Sequence, residues 1–176
     1  MPQKLHHPLH LYYDDTWYFL SVGVYQKQPI IANDLRKSEL RDLLKDVYSK
    51  FGYKIKAWVI LDNHYHILFK TSKGNDIPKL IQKIHGSASH KWNLEDKESG
   101  RKIWQNYWDY CPKDEKDRWM HFNYIHHNPV KHGYAKQMED WQYSSFQYYL
   151  RKYGMKWIMS CFESYPIIDF SLSWKD

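Results

Sequence analysis

"LDNHYHILFK" (Leu61–Lys70) sets two histidines around a tyrosine inside a run that otherwise reads as a buried strand. A strand sends alternate side chains to opposite faces, so residues two apart point the same way. His64, His66 and Leu68 therefore share one face, and Tyr65, Ile67 and Phe69 share the other. The second set reads as a core face. The first presents two imidazoles side by side. Asp62 and Asn63 suit a tight turn, which pairs this strand with "YKIKAWVIL" (Tyr53–Leu61) as a hairpin.

Working outward, "TWYFLSVGV" (Thr16–Val24) is a strand by its aromatic and β-branched content. "NDLRKSELRDLLKDVYSKFG" (33–52) is a helix: Leu40, Leu43, Leu44, Val47, Tyr48 and Phe51 fall at helical spacing, and Gly52 is placed to end it. A second helix follows in "DIPKLIQKIHGSASHKWN" (76–93), with Asp76 as N-cap and Leu80, Ile81, Ile84, Ala88 and Trp92 as its stripe. The charged "LEDKESGRK" is a loop, and "IWQNYWDY" (Ile103–Tyr110) a fourth strand. "DEKDRWMHFNYIHHN" (114–128) is a third helix, expected to stop before Pro129 because proline disfavours helix in the residue preceding it. The order β-α-β-β-α-β-α matches an α+β, ferredoxin-like (split βαβ) antiparallel sheet with helices on one face and an added C-terminal helix. In that architecture Tyr65, Ile67 and Phe69 point at the helices, and His64 and His66 at an open face. One domain is expected over residues 1–150, with 151–176 a tail of unassigned role.

With 176 residues the chain is long enough to bury a sizeable core. Aromatic residues make up 18%, including nine Trp and sixteen Tyr, and mean hydropathy is −0.81, so not every ring is expected in the core. The net charge of +6 and pI near 9.1 suit a polyanionic partner, and rings on a basic surface suit stacking on unpaired bases. Cys111 and Cys161 are the only cysteines, and neither has a neighbour at metal-ligand spacing. No disulfide framework follows, and a reducing cytoplasm is the expected location. No run is long and apolar enough for a signal peptide or a bilayer span, so no membrane partner is expected. His6, His7 and His10 read as part of an irregular, solvated lead-in.

Two histidines two apart on a strand give a divalent metal two ligands from one rigid element. Alone, the pair reads more plainly as solvated. "NYIHHNPVKHG" (Asn123–Gly133) supplies further candidates. Tyr124 and Asn128 are four apart and lie on one helix face one turn apart. An amide oxygen is a fair ligand for Mg²⁺ or Mn²⁺, and a tyrosine hydroxyl one turn away would sit beside whatever the cation polarises. Tyr124 also fits as a core aromatic and Asn128 as a helix cap. His121, His126 and His127 are rival ligands that spacing does not separate.

"LDNHYHILF", "IWQNYWDY", "YIHHNPVKHGYA" and "DWQYSSFQYYL" together resemble the IS200-like Y1 (HUH) transposases, most closely the REP-associated tyrosine transposase branch. The resemblance runs from about Trp17 to Tyr149. It implies the same ferredoxin-like fold, and it assigns His64, His66 and Asn128 to one Mg²⁺ or Mn²⁺ that stabilises charge on the scissile phosphate. Tyr124 is then the nucleophile, linked to the 5′ phosphate, and a later 3′ hydroxyl reverses the step without ATP. Phenol has a pKa of about 10, so its proton needs help to leave, and His126 and His127 are candidates. The substrate implied is single-stranded DNA, beside a hairpin such as a repetitive extragenic palindrome. Arg101, Lys102, Lys131 and His132 are candidates to hold phosphates, and Trp104, Trp108 and Trp17 to stack on bases. Each of these also reads as a solvated cation or a core ring. The sequence departs from the family at Asp62, commonly proline, and Tyr65, commonly aliphatic; Asp62 is read as serving the turn.

The chief rival is a non-catalytic single-stranded nucleic-acid-binding module of RRM-like fold, which stacks bases on an open sheet. The aromatic RNP1 pattern of that fold is absent, and Tyr124 would have no role in it. A small metallohydrolase using metal-bound water would not need Tyr124 either, and a replication or relaxase-type HUH endonuclease would share its chemistry. Whether Tyr124 meets the histidine strand within one chain or across a homodimer is open at this stage.

Overall fold

The computed structural model of the protein describes residues 12–167; His6, His7 and His10 lie outside them. Four strands, β1 (Trp17–Gly23), β2 (Lys54–Ile60), β3 (His64–Lys70) and β4 (Trp108–Tyr110), form one sheet in the order β2-β3-β1-β4. Every pairing is antiparallel. Helices α1 (Asp34–Lys50) and α2 (Ile77–Asp96) connect β1 to β2 and β3 to β4, as in a split βαβ sheet. Asn33 starts α1 by accepting from the Arg36 amide, and Gly52 follows it at a φ of +69°, the left-handed conformation that glycine adopts without cost.

The alternation along β3 divides the core in two. Tyr65, Ile67 and Phe69 pack with Tyr18, Leu20 and Val22 of β1 under Leu40, Leu44 and Val47 of α1 and Leu80, Ile84 and Trp92 of α2. The opposite face is not open, as the sequence suggested. Helices α3 (Glu115–Lys131) and α4 (Phe146–Ser164) cover it, placing Phe122, Ile125, Phe146 and Ile158 over Phe19, Ala57, Val59 and Leu68. An aliphatic set on that face of β2 needs burial, and α3 together with the chain beyond Tyr149 supplies it. Helix α4 runs through the expected boundary at Leu150 to Ser164, with Ile158 and Cys161 buried. Asn123 ties its end to α3 by donating to the carbonyls of Cys161 and Tyr165 at 2.9 and 2.8 Å.

Two further expectations change. The fourth strand is three residues long: Trp104 makes one isolated bridge to Val24, and the chain rejoins β1 only at Trp108. Between them Tyr107 turns to share a hydrogen bond with Tyr12 at 2.6 Å. Helix α3 also continues past Pro129 to Lys131. The proline forfeits one donor to Ile125, but the amides of His132 and Tyr134 close the end onto the carbonyls of Asn128 and Pro129, at 3.1 and 2.9 Å. That extra turn carries Lys131 and His132 alongside Asn128.

Candidate active site

The face of α3 that lies on the sheet presents Tyr124 and Asn128 to the two histidines of β3. Asn128 Oδ1 lies 3.2 Å from His64 Nε2, and the Tyr124 ring is 5.5 Å from that of His66. The imidazoles of His64 and His66 are 5.0 Å apart, edge to face. All four side chains converge within one chain.

Second contacts fix each group. The turn residue Asn63 anchors itself on the Lys27 carbonyl (3.1 Å), and its Oδ1 sits 2.7 Å from His64 Nδ1. With Asn63 accepting from Nδ1–H, His64 Nε2 carries a lone pair, and it faces the amide oxygen of Asn128. Burial, the neighbouring His132 and, more weakly, Lys131 hold the His64 pKa down to about 4, so the ring is neutral at pH 7 and its one proton is the one that Asn63 takes on Nδ1. Two acceptors at 3.2 Å call for a cation. Cis ligands on an octahedral ion with bonds of about 2.1 Å lie about 3.0 Å apart, close to this separation. His66 stacks on Phe19 at 5.4 Å, and burial with the nearby His64 keeps it neutral as well. Its Nδ1 and the Asn128 Nδ2 are buried without a hydrogen-bond partner. Orphaned polar atoms cost stability and are uncommon outside functional sites. Among the described residues no three His, Cys, Asp or Glu side chains gather at metal-holding spacing; beside the two imidazoles the oxygen at hand is that of the Asn128 amide. The residues present therefore fit a hard divalent cation: two neutral imidazoles and an amide oxygen.

Of the other candidates, Lys131 and His132 join the site. The Lys131 ammonium lies 5.1 Å from the centre of the Tyr124 ring, and the His132 ring 5.0 Å from that of His64. The rival histidines do not. His121 packs against Phe19 and Tyr110 and donates from Nδ1 to the Asp117 carbonyl at 2.9 Å. His126 is buried under Phe122 and Phe146 with Nε2 2.7 Å from Ser145 Oγ, which removes it as a proton acceptor for Tyr124. His127 lines a cleft with Met155 and Met159 of α4. Trp104 is not a stacking platform for bases: it is 7% exposed, lies on His85 at 4.6 Å and meets Tyr65 edge-on. Arg101 is engaged by Asp96 at 2.6 Å and by Asn93, and Lys102 rests over Tyr25. Trp108 is half-buried, stacked on Tyr110, and Trp17 lies under Arg118. The two departures from the family pattern serve packing. Asp62 pairs with the buried Lys37 ammonium at 2.7 Å, and the Tyr65 hydroxyl meets His85 Nε2 at 3.0 Å. A pairing between residues 25 apart in sequence, as Lys37 and Asp62 are, leaves no local signal.

The sequence profile described as "Transposase IS200 like" matches residues 14–128, from the lead-in of β1 to Asn128 itself. The chain belongs to the IS200-like transposase family. It is 29% identical over 133 residues to the REP-associated tyrosine transposase of Escherichia coli (strain K12), covering 74% of this chain and 76% of that protein. A Haemophilus influenzae protein given the same name provisionally is 31% identical over 141 residues, covering 66% of this chain and 76% of that protein. Among solved structures, a REP-associated tyrosine transposase bound to a REP hairpin superposes with a TM-score of 0.70 at 27% identity, over 81% of this chain and 84% of that one. No described helix is long and apolar enough to cross a membrane.

Proposed function

We propose that this IS200-like transposase is a metal-dependent single-stranded DNA endonuclease and strand transferase that works through a 5′-phosphotyrosine at Tyr124. The observation that carries the reading is the convergence of Tyr124 with His64, His66 and Asn128 inside one chain. A Mg²⁺ or Mn²⁺ ion held by His64, His66 and Asn128 would act as a Lewis acid on the scissile phosphate. Tyr124 Oη attacks phosphorus, the new P–O bond forms as the P–O3′ bond breaks, and the 3′ oxygen leaves as a hydroxyl. The phosphodiester is exchanged for another phosphate ester, so a 3′ hydroxyl can return and rejoin the strand with no nucleotide cofactor. The Lys131 ammonium, 5.1 Å from the centre of the Tyr124 ring, stands where it can meet the phosphate that Tyr124 attacks. Phe19 and His66 hold that ring edge-on, which limits the directions from which Tyr124 can meet a phosphate.

The DNA in this reading is a hairpin, as the similar solved protein is bound to a REP hairpin, here with an unpaired flank that carries the cut. The RRM-like alternative loses its platform, because α3 and α4 cover the sheet face that would stack bases. The test is cleavage of single-stranded oligonucleotides carrying palindromes, with Mn²⁺, with Mg²⁺ and with chelator, by wild type and by Tyr124→Phe. The expected result is metal-dependent cleavage with a denaturation-resistant protein–DNA adduct from wild type alone. Cleavage by Tyr124→Phe without an adduct would replace the tyrosine with metal-bound water.

A further inference from the structure

The outer face of α4 carries a run of rings and cations that the reaction does not use. Tyr153 and Trp157 lie nearly parallel with centroids 4.6 Å apart, and the buried Tyr149 backs them at 6.1 and 5.8 Å. Tyr148 and Tyr153 are about half exposed, at 49% and 47%. The Lys152 ammonium sits between these two, 5.3 and 5.2 Å from their ring centres. A break in the helix at Gly154, with φ at 78° and ψ at 165°, lies between Tyr153 and Trp157. A side chain at residue 154 would be strained in that backbone, so the break is built in.

The charge on this face is one-sided. From Phe146 to Phe162 the helix holds Arg151, Lys152 and Lys156 and no carboxylate, its one acid being Glu163 in the last turn. Among the described residues none of these three lysines and arginines pairs with an acid. The surface helices elsewhere mix signs: α1 pairs Lys50 with Asp46, and α2 places Lys91 between Glu39 and Glu95. A single-sign run over half-exposed rings is suited to a polyanion whose flat bases can stack and whose phosphates meet ammonium groups. The face also lies across α3 from the chemistry, because Phe122 and His126 pack on Tyr149 while Tyr124 points to the histidines.

We propose that the Tyr148–Tyr153 face of α4 holds an unpaired stretch of the DNA that Tyr124 cuts, several nucleotides from the scissile phosphate. The proposal rests on the reading of the site as a DNA-cutting one. Bases stack on Tyr148 and Tyr153, and Arg151, Lys152 and Lys156 take the phosphates between them.

The experiment uses the full chain and fluorescence anisotropy over a salt series, with a labelled palindromic hairpin bearing unpaired flanks and the same hairpin trimmed blunt. Two variants are compared with wild type: Tyr148→Ala/Tyr153→Ala, and Arg151→Gln/Lys152→Gln/Lys156→Gln. Thermal melting checks that both remain folded, as expected for exposed positions. The tyrosine variant is expected to weaken binding to the flanked hairpin at least about fivefold for each ring removed, with the blunt hairpin nearly unaffected. The charge variant is expected to reduce the slope of log affinity against log salt by about two. Unchanged affinity and slope would overturn the proposal, as would equal losses on both DNAs, which would assign the face to the stem. A protein dimer seen by light scattering and lost in the tyrosine variant would also overturn it, since a second copy would then cover the face. Adduct yield at saturating DNA is read in the same samples. No adduct from wild type, with the binding losses intact, would sink the chemistry assigned to Tyr124 and leave the face supported as a DNA binder.

Discussion

The two faces of strand β3 are built to different standards. On one, Tyr65, Ile67 and Phe69 are wholly buried, and the single hydroxyl among them finds His85 at 3.0 Å. On the other, one residue away along the same strand, His66 keeps an unpartnered Nδ1, and Asn128 above it an unpartnered Nδ2. Burial and hydrogen bonding stabilise the first face, where among the described packed side chains Tyr48 alone keeps a hydroxyl without a hydrogen-bond partner. The second leaves polar atoms bare and sets two acceptors against each other, and the proposed cation would relieve that opposition. Stability and chemistry are thus carried by alternate residues of seven.

That contrast can be broken most easily where the effect is largest. Trp104→Ala, in the first layer against His85, Tyr65 and Trp92, should cost about 3–5 kcal/mol in denaturant unfolding. Adduct formation per folded molecule should be unchanged. Loss of adduct at full occupancy of the folded state would mean that the layers are not separable. Acid tests both layers at once. Burial holds His85 and His126 down to pKa values of about 3, whereas the unfolded chain takes up their protons near 6.5. The unfolded state therefore binds more protons below pH 6.5, and stability falls as pH drops from there toward 3. Each of the two contributes of order 2 kcal/mol of loss by pH 5. Denaturant midpoints at pH 7 and pH 5 measure it, and His126→Phe should flatten the dependence.

Asp62→Ala strips the carboxylate from the buried Lys37 and should cost about 2 kcal/mol, less than for a fully buried pair because Asp62 is partly exposed. Cleavage by the folded fraction should persist, because the carboxylate points to α1. The smallest change in stability carries the sharpest test of the contrast. His66→Leu replaces an orphaned ring with a fitting apolar side chain and should raise stability by about 1 kcal/mol while abolishing metal-dependent cleavage. A variant that loses stability instead would show that His66 belongs to the packing layer.

Much of this division was legible before any coordinates. A period of two placed His64 and His66 together, and a period of four placed Tyr124 over Asn128, because both rest on local geometry alone. What was not legible depends on partners distant in sequence. Trp104 reads the same whether it stacks on a base or on His85, and His126 reads the same until Ser145 and Phe146 close over it. Pro129 was read as a stop because a local preference is visible, whereas the closing bonds from His132 and Tyr134 are not. The continuation of α4 over the second face beyond Leu150 was missed for the same reason: its apolar positions are spread among surface tyrosines and lysines around the break at Gly154.

Sixteen tyrosines stand in this chain, and the central claim names one of them. The most direct measurement is to trap the protein–DNA adduct, digest it and find the nucleotide-bearing peptide by mass spectrometry. The account predicts the modification on Tyr124 alone, with none formed in chelator. A nucleotide on any other tyrosine, with Tyr124 unmodified, would contradict it.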